Sequence, residues 1–485
     1  MIKAWHIGLV ALVVTSGAGA AGPAERNTAA AIARITALNP AIHAVLAIDP
    51  TAMAHARAID TAGRRGPLAG VAVLVKDNVE TAGPLPTTAG SRALLHNVSG
   101  RDAPLVARLR AAGAVIVGKT NLSEWANIRS DHSISGWSAV GGQTINPNGH
   151  GRNPCGSSSG SGAAVALGMV DYAIGTETNG SIACPAAVNG VVGFKPSVGL
   201  VSRTHVVPIS ATQDTPGPIT RTVRQAAAMM TALAGSDPAD PATAEADARK
   251  VDYVAALDAG SLTGKRIGVM RFAVPYRTEA ALDAALAVLK ARGAILVEIK
   301  ELGGTVKDAD ETLVLLTELK VGLNAYLAST PMTVKSRTLA QVIAFNRADP
   351  VELSLFDQAT FEKAEATKGL DDPAYIKARA AVIATGGSDG IDRLLKSEKL
   401  DALVGPTDAP AWLIDPVLGD QYAGGGAGYL AAMAGYPHLT VPMGRVGGLP
   451  VGLSFIGPKW SDAMILSLGY AYEQARQKVA SFGAQ

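Results

Sequence analysis

The sequence predicts an α/β fold in which helices cover a parallel or mixed β-sheet. The first observation is a set of continuous apolar runs, such as residues 71–75, which are typical of strands buried on both faces of a sheet. The second is a repeated order of helix and strand. A helical segment at 104–112 precedes Gly113 and an apolar run at 114–117, and residues 282–297 repeat this order. We therefore expect α/β construction throughout the chain.

The remaining elements follow from apolar periodicity and from residues that start or stop helices. A helix over 29–38 is expected to end at Pro40. Asp102 is expected to cap the helix that begins near Pro104. Residues 235–247, rich in Asp, Pro, Ala and Thr, predict a long exposed loop. Late strands are expected at 402–404, 439–442 and 451–455, followed by a terminal helix at 463–476.

The first twenty residues are typical of an export signal. Lys3 supplies the positive charge, residues 7–14 form a short apolar region, and residues 18–20 are small, as a cleavage site requires. A membrane anchor is the alternative, but the apolar run is shorter than the roughly 20 residues that span a bilayer. We expect a signal peptide at 1–20 and a mature chain at 21–485 that is periplasmic or secreted and not attached to a membrane.

The composition is typical of a compact globular enzyme and does not favour a nucleic-acid partner. Hydrophobic residues make up 48% of the 485 positions and charged residues 17%, which suits an extensive core. The 43 Lys and Arg nearly balance the 41 Asp and Glu, and no basic tract is present to neutralise phosphates. No H-E-x-x-H or Cys/His cluster occurs, so no metal is expected. A nucleotide-type glycine pattern occurs at 17–22, beside the predicted signal, so no cofactor is expected.

The two cysteines, Cys155 and Cys184, leave their pairing open. An exported chain would meet an oxidising compartment, where a disulfide can persist. Isolated cysteines in apolar surroundings are nevertheless more often buried thiols, so the sequence does not determine whether these two pair.

Two Gly/Ser-rich stretches, 155–162 and 175–182, contain the candidate nucleophiles. A flexible linker is the ordinary alternative for such composition, but the first stretch leads directly into a predicted helix at 163–169. Residues 156–160 also match G-x-S-x-G, which would make Ser158 the nucleophile. That motif should follow a strand and needs a histidine partner. The preceding segment is instead typical of a loop, and the best histidine, His438, lies in a predicted turn.

A combination of three positions is more specific than either stretch alone. Lys76 ends the buried strand at 71–75, Ser157 lies in the first Gly/Ser-rich stretch, and Ser181 follows Gly180 twenty-four residues later. A single lysine at the end of a strand is ordinarily solvated. In this order and spacing, however, the three positions resemble the amidase signature family. Further matching segments are found at 118–127, 133–138, 141–144 and 198–203.

The resemblance implies one large α/β domain over 21–485, with a central mixed β-sheet covered by helices on both faces. The signature core spans about 66–235, and later core pieces span about 400–470. In this family a lysine, a bridging serine after a cis peptide bond and a nucleophilic serine form a triad. On this sequence the resemblance places them at Lys76, Ser157 and Ser181, with the cis bond before Ser157.

The resemblance also assigns an oxyanion hole to the backbone of Thr178, Asn179, Gly180 and Ser181. A lysine can act as a base only when it is neutral, and its ordinary pKa is about 10.4. Burial lowers the pKa of a lysine because desolvation disfavours the ammonium form. We therefore expect Lys76 to be buried and to accept the proton that Ser181 releases through Ser157.

One departure from the family pattern bears on the substrate. Many members carry an arginine two or three residues after the nucleophile, where this sequence has Ala183 and Cys184. The missing cation predicts a preference for neutral amides, and the similarity is greatest to bacterial peptide amidases, which remove the amide from peptide C-termini. Substrate contacts are predicted for Ser158, Trp125 and Trp137, with Tyr172 as a further candidate wall.

The expected protein is thus a peptide amidase that works as a monomer on a small or peptide amide. A broad-specificity aliphatic or aryl amidase is the alternative. An A-type subunit of a tRNA-dependent amidotransferase is disfavoured by the export signal and the missing arginine. A catalytically dead scaffold is disfavoured by the intact candidate triad.

Overall fold

The computed structural model describes residues 21–301 and 308–482, with side chains described up to residue 477. The predicted signal peptide at 1–20 lies outside the described residues. Within them, no helix combines the length and the apolar character needed to cross a membrane.

A mixed sheet of eleven strands crosses the described part of the chain, and a two-stranded ribbon lies beside it. In sequence order the strands are β1 Val45–Ile48, β2 Ala72–Lys76, β3 Val115–Thr120, β4 Trp137–Ser138, β5 Gly142–Gln143, β6 Tyr172–Glu177, β7 Val192–Lys195, β8 Thr215–Thr220, β9 Arg266–Met270, β10 Ile295–Ile299, β11 Ala402–Pro406, β12 His438–Val446 and β13 Leu449–Ile456. The order across the sheet is β1-β3-β2-β6-β8-β7-β12-β13-β11-β9-β10, and β4 pairs with β5 in the ribbon.

Strand directions make the sheet mixed, as the sequence predicts. Strand β2 runs parallel to both neighbours, β3 and β6, and β9 runs parallel to β10 and β11. The pairs around β7, β8, β12 and β13 are antiparallel. The parallel arrangement brings the carboxyl ends of β2 and β6 together at one edge.

Helices cover both faces of this sheet. Their bounds are α1 Pro23–Ile42, α2 Ala52–Thr61, α3 Pro104–Ala111, α4 Ser159–Ala166, α5 Ala183–Asn189, α6 Val223–Leu233, α7 Ala246–Arg249, α8 Glu279–Ala291, α9 Asp308–Ser329, α10 Leu339–Ala348, α11 Ala359–Glu365, α12 Pro373–Gly386, α13 Asp392–Ser397, α14 Tyr429–Ala434 and α15 Asp462–Phe482. Alternate residues of β2 show the two faces: Val73 and Val75 belong to one apolar cluster, and Leu74 belongs to another. Strands buried on both faces explain the continuous apolar runs.

The segment from α9 to α13 is a helical layer, which the sequence analysis did not predict. Residues of α9, α10 and α11 pack with Trp125 and Leu94 in a separate apolar cluster. The expectation of α/β construction throughout is therefore wrong for residues 308–397. These residues form successive helices, and no strand alternates with them.

Three local predictions are wrong. Helix α1 continues through Pro40, because a proline near the end of a helix removes only one donor. Asp102 does not cap α3. Its carboxylate accepts the Ala82 N–H at 2.6 Å and pairs with Arg110 at 3.1 Å. Residues 235–247 are not simply an exposed loop, since they include a 3₁₀ turn and a buried Asp240.

Candidate active site

Lys76 lies at the carboxyl end of β2 and is completely buried. Its Nζ is 2.7 Å from Ser157 Oγ, 2.8 Å from Thr176 Oγ1 and 3.3 Å from the Thr176 carbonyl oxygen. Thr176 belongs to β6, the parallel neighbour of β2, so sheet pairing places it beside the amine. Asn78 donates to Thr176 Oγ1 at 2.9 Å, which fixes the threonine side chain.

The pKa of Lys76 is lowered from its ordinary value to about 7. Burial is the main cause, because desolvation disfavours the ammonium form, and the charges of Asp214 and Glu177 oppose the shift. A neutral amine in this position donates to the two oxygens of Thr176 and has its lone pair available to Ser157. The expectation of a buried lysine that is uncharged near neutral pH agrees with this geometry.

Ser157 lies in the loop that precedes α4 and is also completely buried. The peptide bond between Gly156 and Ser157 is cis, as the family resemblance implies. The Ser157 carbonyl accepts the Ser123 N–H at 3.0 Å. The next residue, Ser158, donates its N–H to the Ser181 carbonyl at 3.2 Å, and the two Gly/Ser-rich stretches are therefore hydrogen-bonded to each other.

Ser181 lies in the loop between β6 and α5, where Glu177 braces the backbone. Glu177 Oε2 accepts the N–H groups of Ile182 at 2.8 Å and Ala183 at 2.9 Å. Within the described residues, the N–H groups of Asn179, Gly180 and Ser181 have no protein acceptor. Unsatisfied donors beside a candidate nucleophile are what an oxyanion hole requires. The roles of Ser181 and of these donors remain predictions.

Two side chains of this loop are held by hydrogen bonds. Thr178 Oγ1 donates to Asp214 at 2.6 Å, and Asn179 donates to Glu311 at 2.8 Å. Gly180 has a φ of 82°, in the left-handed region that glycine tolerates without strain.

A cavity of about 430 Å³ opens beside these segments. Gly156, Asn179, Gly180 and Ala183 line it from the catalytic segments. The rest of the wall comes from residues that were not predicted to contact the substrate. Among the described residues, no Lys or Arg lines the cavity. This wall includes Asp408, Trp412, Asp420, Tyr422, Tyr429 and His438.

The residues predicted to contact the substrate lie elsewhere. Trp125 packs against Phe361 with ring centroids 5.6 Å apart, and Trp137 packs against Phe356 at 5.2 Å. Ser158 is completely buried, and none of these side chains is among those that line the cavity. The fourth candidate, Tyr172, is at the start of β6, away from the catalytic end of the strand.

The alternative nucleophile has no base beside it. Ser158 Oγ donates to the Thr176 carbonyl and accepts the Thr176 N–H, both at 3.2 Å. His438 contacts Ser454 Oγ at 2.6 Å instead, and it begins a strand rather than forming the predicted turn. Burial lowers the pKa of His438 to about 4, despite the opposing charge of Glu177, so the imidazole is neutral near pH 7.

Cys155 and Cys184 form a disulfide, with Cα atoms 6.0 Å apart, which decides the pairing that the sequence left open. The bond joins the loop before Ser157 to the first turn after Ser181. Both sulfurs and Asp408 form the single group of possible metal ligands in the described part of the chain. Disulfide sulfurs are not thiolate ligands, so this group does not make a metal site.

The site was partly accessible to sequence reasoning. Thr176 and Glu177 lie within the second Gly/Ser-rich stretch. Their proximity to Lys76 depends on the parallel pairing of β2 with β6, which the sequence does not show. Asp408 lies two residues after β11, much as Lys76 ends β2. A polar residue after a buried strand was therefore an available signal for Asp408 also.

Known proteins resemble the chain over nearly its whole length. The sequence model of the amidase family matches residues 26–466. A probable amidase of Arabidopsis thaliana is 40% identical over 461 residues, which is 91% of this chain and 84% of the relative. The A subunit of glutamyl-tRNA(Gln) amidotransferase from Pseudomonas aeruginosa is 34% identical and covers 93% of both chains.

Among solved structures, the native peptide amidase from Stenotrophomonas maltophilia is 47% identical, with a TM-score of 0.89 over 94% of each chain. The sequence match, the fold and the buried lysine–serine pair thus all point to the same family. The chain belongs to the amidase signature family and is an amidase, a hydrolase that acts on amide C–N bonds.

Proposed function

We propose that this amidase removes the C-terminal amide of peptides through a Ser181–Ser157–Lys76 triad and an acyl-enzyme. The observation that carries the triad is the 2.7 Å contact between a completely buried Lys76 Nζ and Ser157 Oγ. A lysine with a pKa of about 7 can accept a proton near neutral pH, as an ordinary lysine cannot.

Acylation begins when Ser181 Oγ attacks the amide carbon. Its proton passes to Ser157 Oγ while the Ser157 proton passes to Lys76 Nζ. The C–N bond then breaks, and Ser157 returns a proton to the leaving nitrogen while Lys76 reprotonates Ser157. The products of this half-reaction are ammonia and an ester on Ser181.

Deacylation repeats the relay with water as the nucleophile. Water loses a proton to Ser157, its oxygen attacks the ester carbon, and Ser181 recovers its proton as the acid leaves. The negative charge on the carbonyl oxygen in both half-reactions is stabilised by the N–H groups of Asn179, Gly180 and Ser181. Losing one such donor costs roughly 2.7 to 4 kcal/mol of activation free energy in related chemistry.

The cavity supports a neutral peptide amide as the substrate. Its lining contains Trp412, Tyr422 and Tyr429 beside two carboxyl groups and, among the described residues, no cation. An amidotransferase subunit that takes ammonia from glutamine must bind a substrate carboxylate, for which this cavity offers no positive partner. A broad-specificity aliphatic or aryl amidase is the remaining alternative.

We also propose that the mature enzyme is exported and monomeric. The signal-like residues 1–20 support export. The Cys155–Cys184 disulfide is compatible with this, because such bonds persist mainly in oxidising compartments.

Ammonia release tests the proposed activity. The mature protein, its Ser181→Ala variant and its Ser158→Ala variant are each incubated with an amidated peptide, a fatty amide and an aryl amide. We expect release from the peptide with wild type and Ser158→Ala, and none with Ser181→Ala. Preferred release from the fatty or aryl amide would favour the broad-specificity alternative, and activity in Ser181→Ala would refute the triad.

A further inference from the structure

Two carboxyl groups line the cavity, and they differ in how many protein donors they accept. Asp420 accepts the Ser135 N–H and hydroxyl, the Asn153 side-chain amide at 2.9 Å and the Trp412 indole N–H at 3.1 Å. These bonds join the cavity wall to the rest of the fold. Asp420 is therefore a structural carboxylate.

Asp408 has much less support, although it is only 6% exposed. Its Oδ1 accepts the N–H of its own neighbour, Ala409, at 2.8 Å. The Tyr422 hydroxyl donates to the Gly425 carbonyl at 2.8 Å and also lies within hydrogen-bonding range of the Asp408 carboxyl group. No Lys, Arg or His in the described residues forms an ion pair with Asp408. A carboxylate has about four acceptor positions, so these two neighbours leave part of its acceptor capacity for a ligand.

The Asp408 carboxyl group lies close to the catalytic segments. The Asp408 carboxyl oxygen and the sulfurs of Cys155 and Cys184 all lie within 4.8 Å of one another. Cys155 is two residues before Ser157, and Cys184 is three residues after Ser181. Asp408 also follows the buried strand β11, which holds its backbone in place. A rigidly held acceptor thus borders the space in which a substrate would react.

We propose that Asp408 accepts a hydrogen bond from the backbone N–H of the last residue of a bound peptide amide. This inference rests on the proposed peptide amidase function and deepens it. The N–H in question is on the carbon next to the scissile carbonyl, a feature that amides of amino acids possess and simple fatty or aryl amides do not. Asp408 thereby selects the substrate class.

The buried position of Asp408 agrees with this role. Burial raises the pKa of Asp408 to about 7, although Tyr422 and the Ala409 N–H act in the opposite direction. A buried carboxyl without a cation costs stability unless a donor satisfies it. A substrate N–H supplies that donor. A substrate carboxylate in the same place would be repelled and left without a partner.

A matched pair of substrates isolates the proposed hydrogen bond. N-acetyl-leucinamide carries the N–H, and its ester analogue, the O-acetyl amide of the corresponding 2-hydroxy acid, has an oxygen there and is otherwise the same size. We measure kcat/KM for both with wild type, Asp408→Ala and Asp408→Asn. The exposed carboxylate variant Asp371→Ala is the control.

Wild type and Asp371→Ala should prefer the N–H substrate by about 10- to 100-fold, the range for a hydrogen bond to a charged group. The preference should fall to within about threefold in Asp408→Ala and be partly restored in Asp408→Asn, whose amide oxygen still accepts. The asparagine variant also serves if the alanine variant fails to fold. A general structural defect would lower both rates and leave their ratio unchanged.

Four results would overturn the inference, and three of them would leave the proposed function unaffected. Wild type that hydrolyses both substrates equally, or an Asp408→Asn variant that discriminates at least as well as wild type, would contradict the hydrogen bond alone and leave the amidase activity standing. So would an alanine variant that keeps the full wild-type ratio. Wild type that releases no ammonia from any peptide amide would instead overturn the proposed function, and the inference with it.

Discussion

The low pKa of Lys76 makes the pH dependence of catalysis quantitatively predictable. The neutral amine is the active form, so kcat/KM should rise with pH through the folded-state pKa of about 7. The neutral fraction is about 1% at pH 5, half at pH 7 and about 99% at pH 9. We therefore expect kcat/KM for an amidated peptide to rise about 50-fold from pH 5 to pH 7 and only about twofold from pH 7 to pH 9.

An unshifted lysine gives a different profile. With a pKa of about 10.4, the neutral fraction would still rise nearly 100-fold between pH 7 and pH 9. Steady-state kinetics over this range, with Tm measured at each pH as a control for folding, distinguish the two cases. A rise of more than about tenfold above pH 7 would refute the argument that burial activates Lys76.

Two variants identify the titrating group, because Asp408 also has a pKa of about 7 and faces the cavity. In Asp408→Asn the midpoint of the profile should stay near 7, since Lys76 is unchanged. Lys76→Arg carries a guanidinium that does not lose its proton, and it should be inactive at every pH. A midpoint that disappears in Asp408→Asn would assign the titration to the carboxyl group instead.

Three further predictions test the supports of the site. Ser181→Ala should lose measurable turnover with Tm within about 2 °C of wild type, since the change removes only one oxygen and leaves the backbone contacts of the loop in place. A large fall in Tm would mean that the hydroxyl also stabilises the fold. Glu177→Ala should lower the free energy of unfolding, measured by urea titration, by about 2 to 5 kcal/mol, because two N–H groups at the start of α5 lose their acceptor. An unchanged urea midpoint would show that water replaces the carboxylate. Replacing Cys155 and Cys184 together by alanine should lower the free energy of unfolding by about 3 to 4 kcal/mol, as expected for a loop of this length. A double variant as stable as wild type would show that the disulfide does not constrain the unfolded chain.

The sequence predicted the parts of the fold that depend on local pattern. The strand that ends at Lys76, the helix-then-strand unit that ends in β3, and the late strands β11 to β13 were each placed within a few residues. Continuous apolar runs made this possible, because a strand covered on both faces has no polar alternation to obscure it. The helical layer at 308–397 was missed because its long-range packing leaves no comparable local signal.

The candidate site likewise has a part that the sequence predicts and a part that it does not. Lys76, Ser157 and Ser181 were identifiable because their order and spacing along the chain match a known family. The cavity wall was not identifiable, since Asp408, Trp412 and Tyr422 lie more than 200 residues after the nucleophile and reach it only through the sheet order. The prediction that Trp125 and Trp137 form this wall relied on residue type, and both instead pack with phenylalanines.

By itself the sequence determined that this chain is an α/β amidase with a lysine and two serines in a recognisable order. Only the tertiary structure decided that the lysine is desolvated, that its amine lies 2.7 Å from Ser157, and that the two cysteines are joined. The reason is physical. Residue types and spacing are properties of the chain, whereas a pKa, a disulfide and a substrate cavity depend on which distant side chains exclude water from the same small volume.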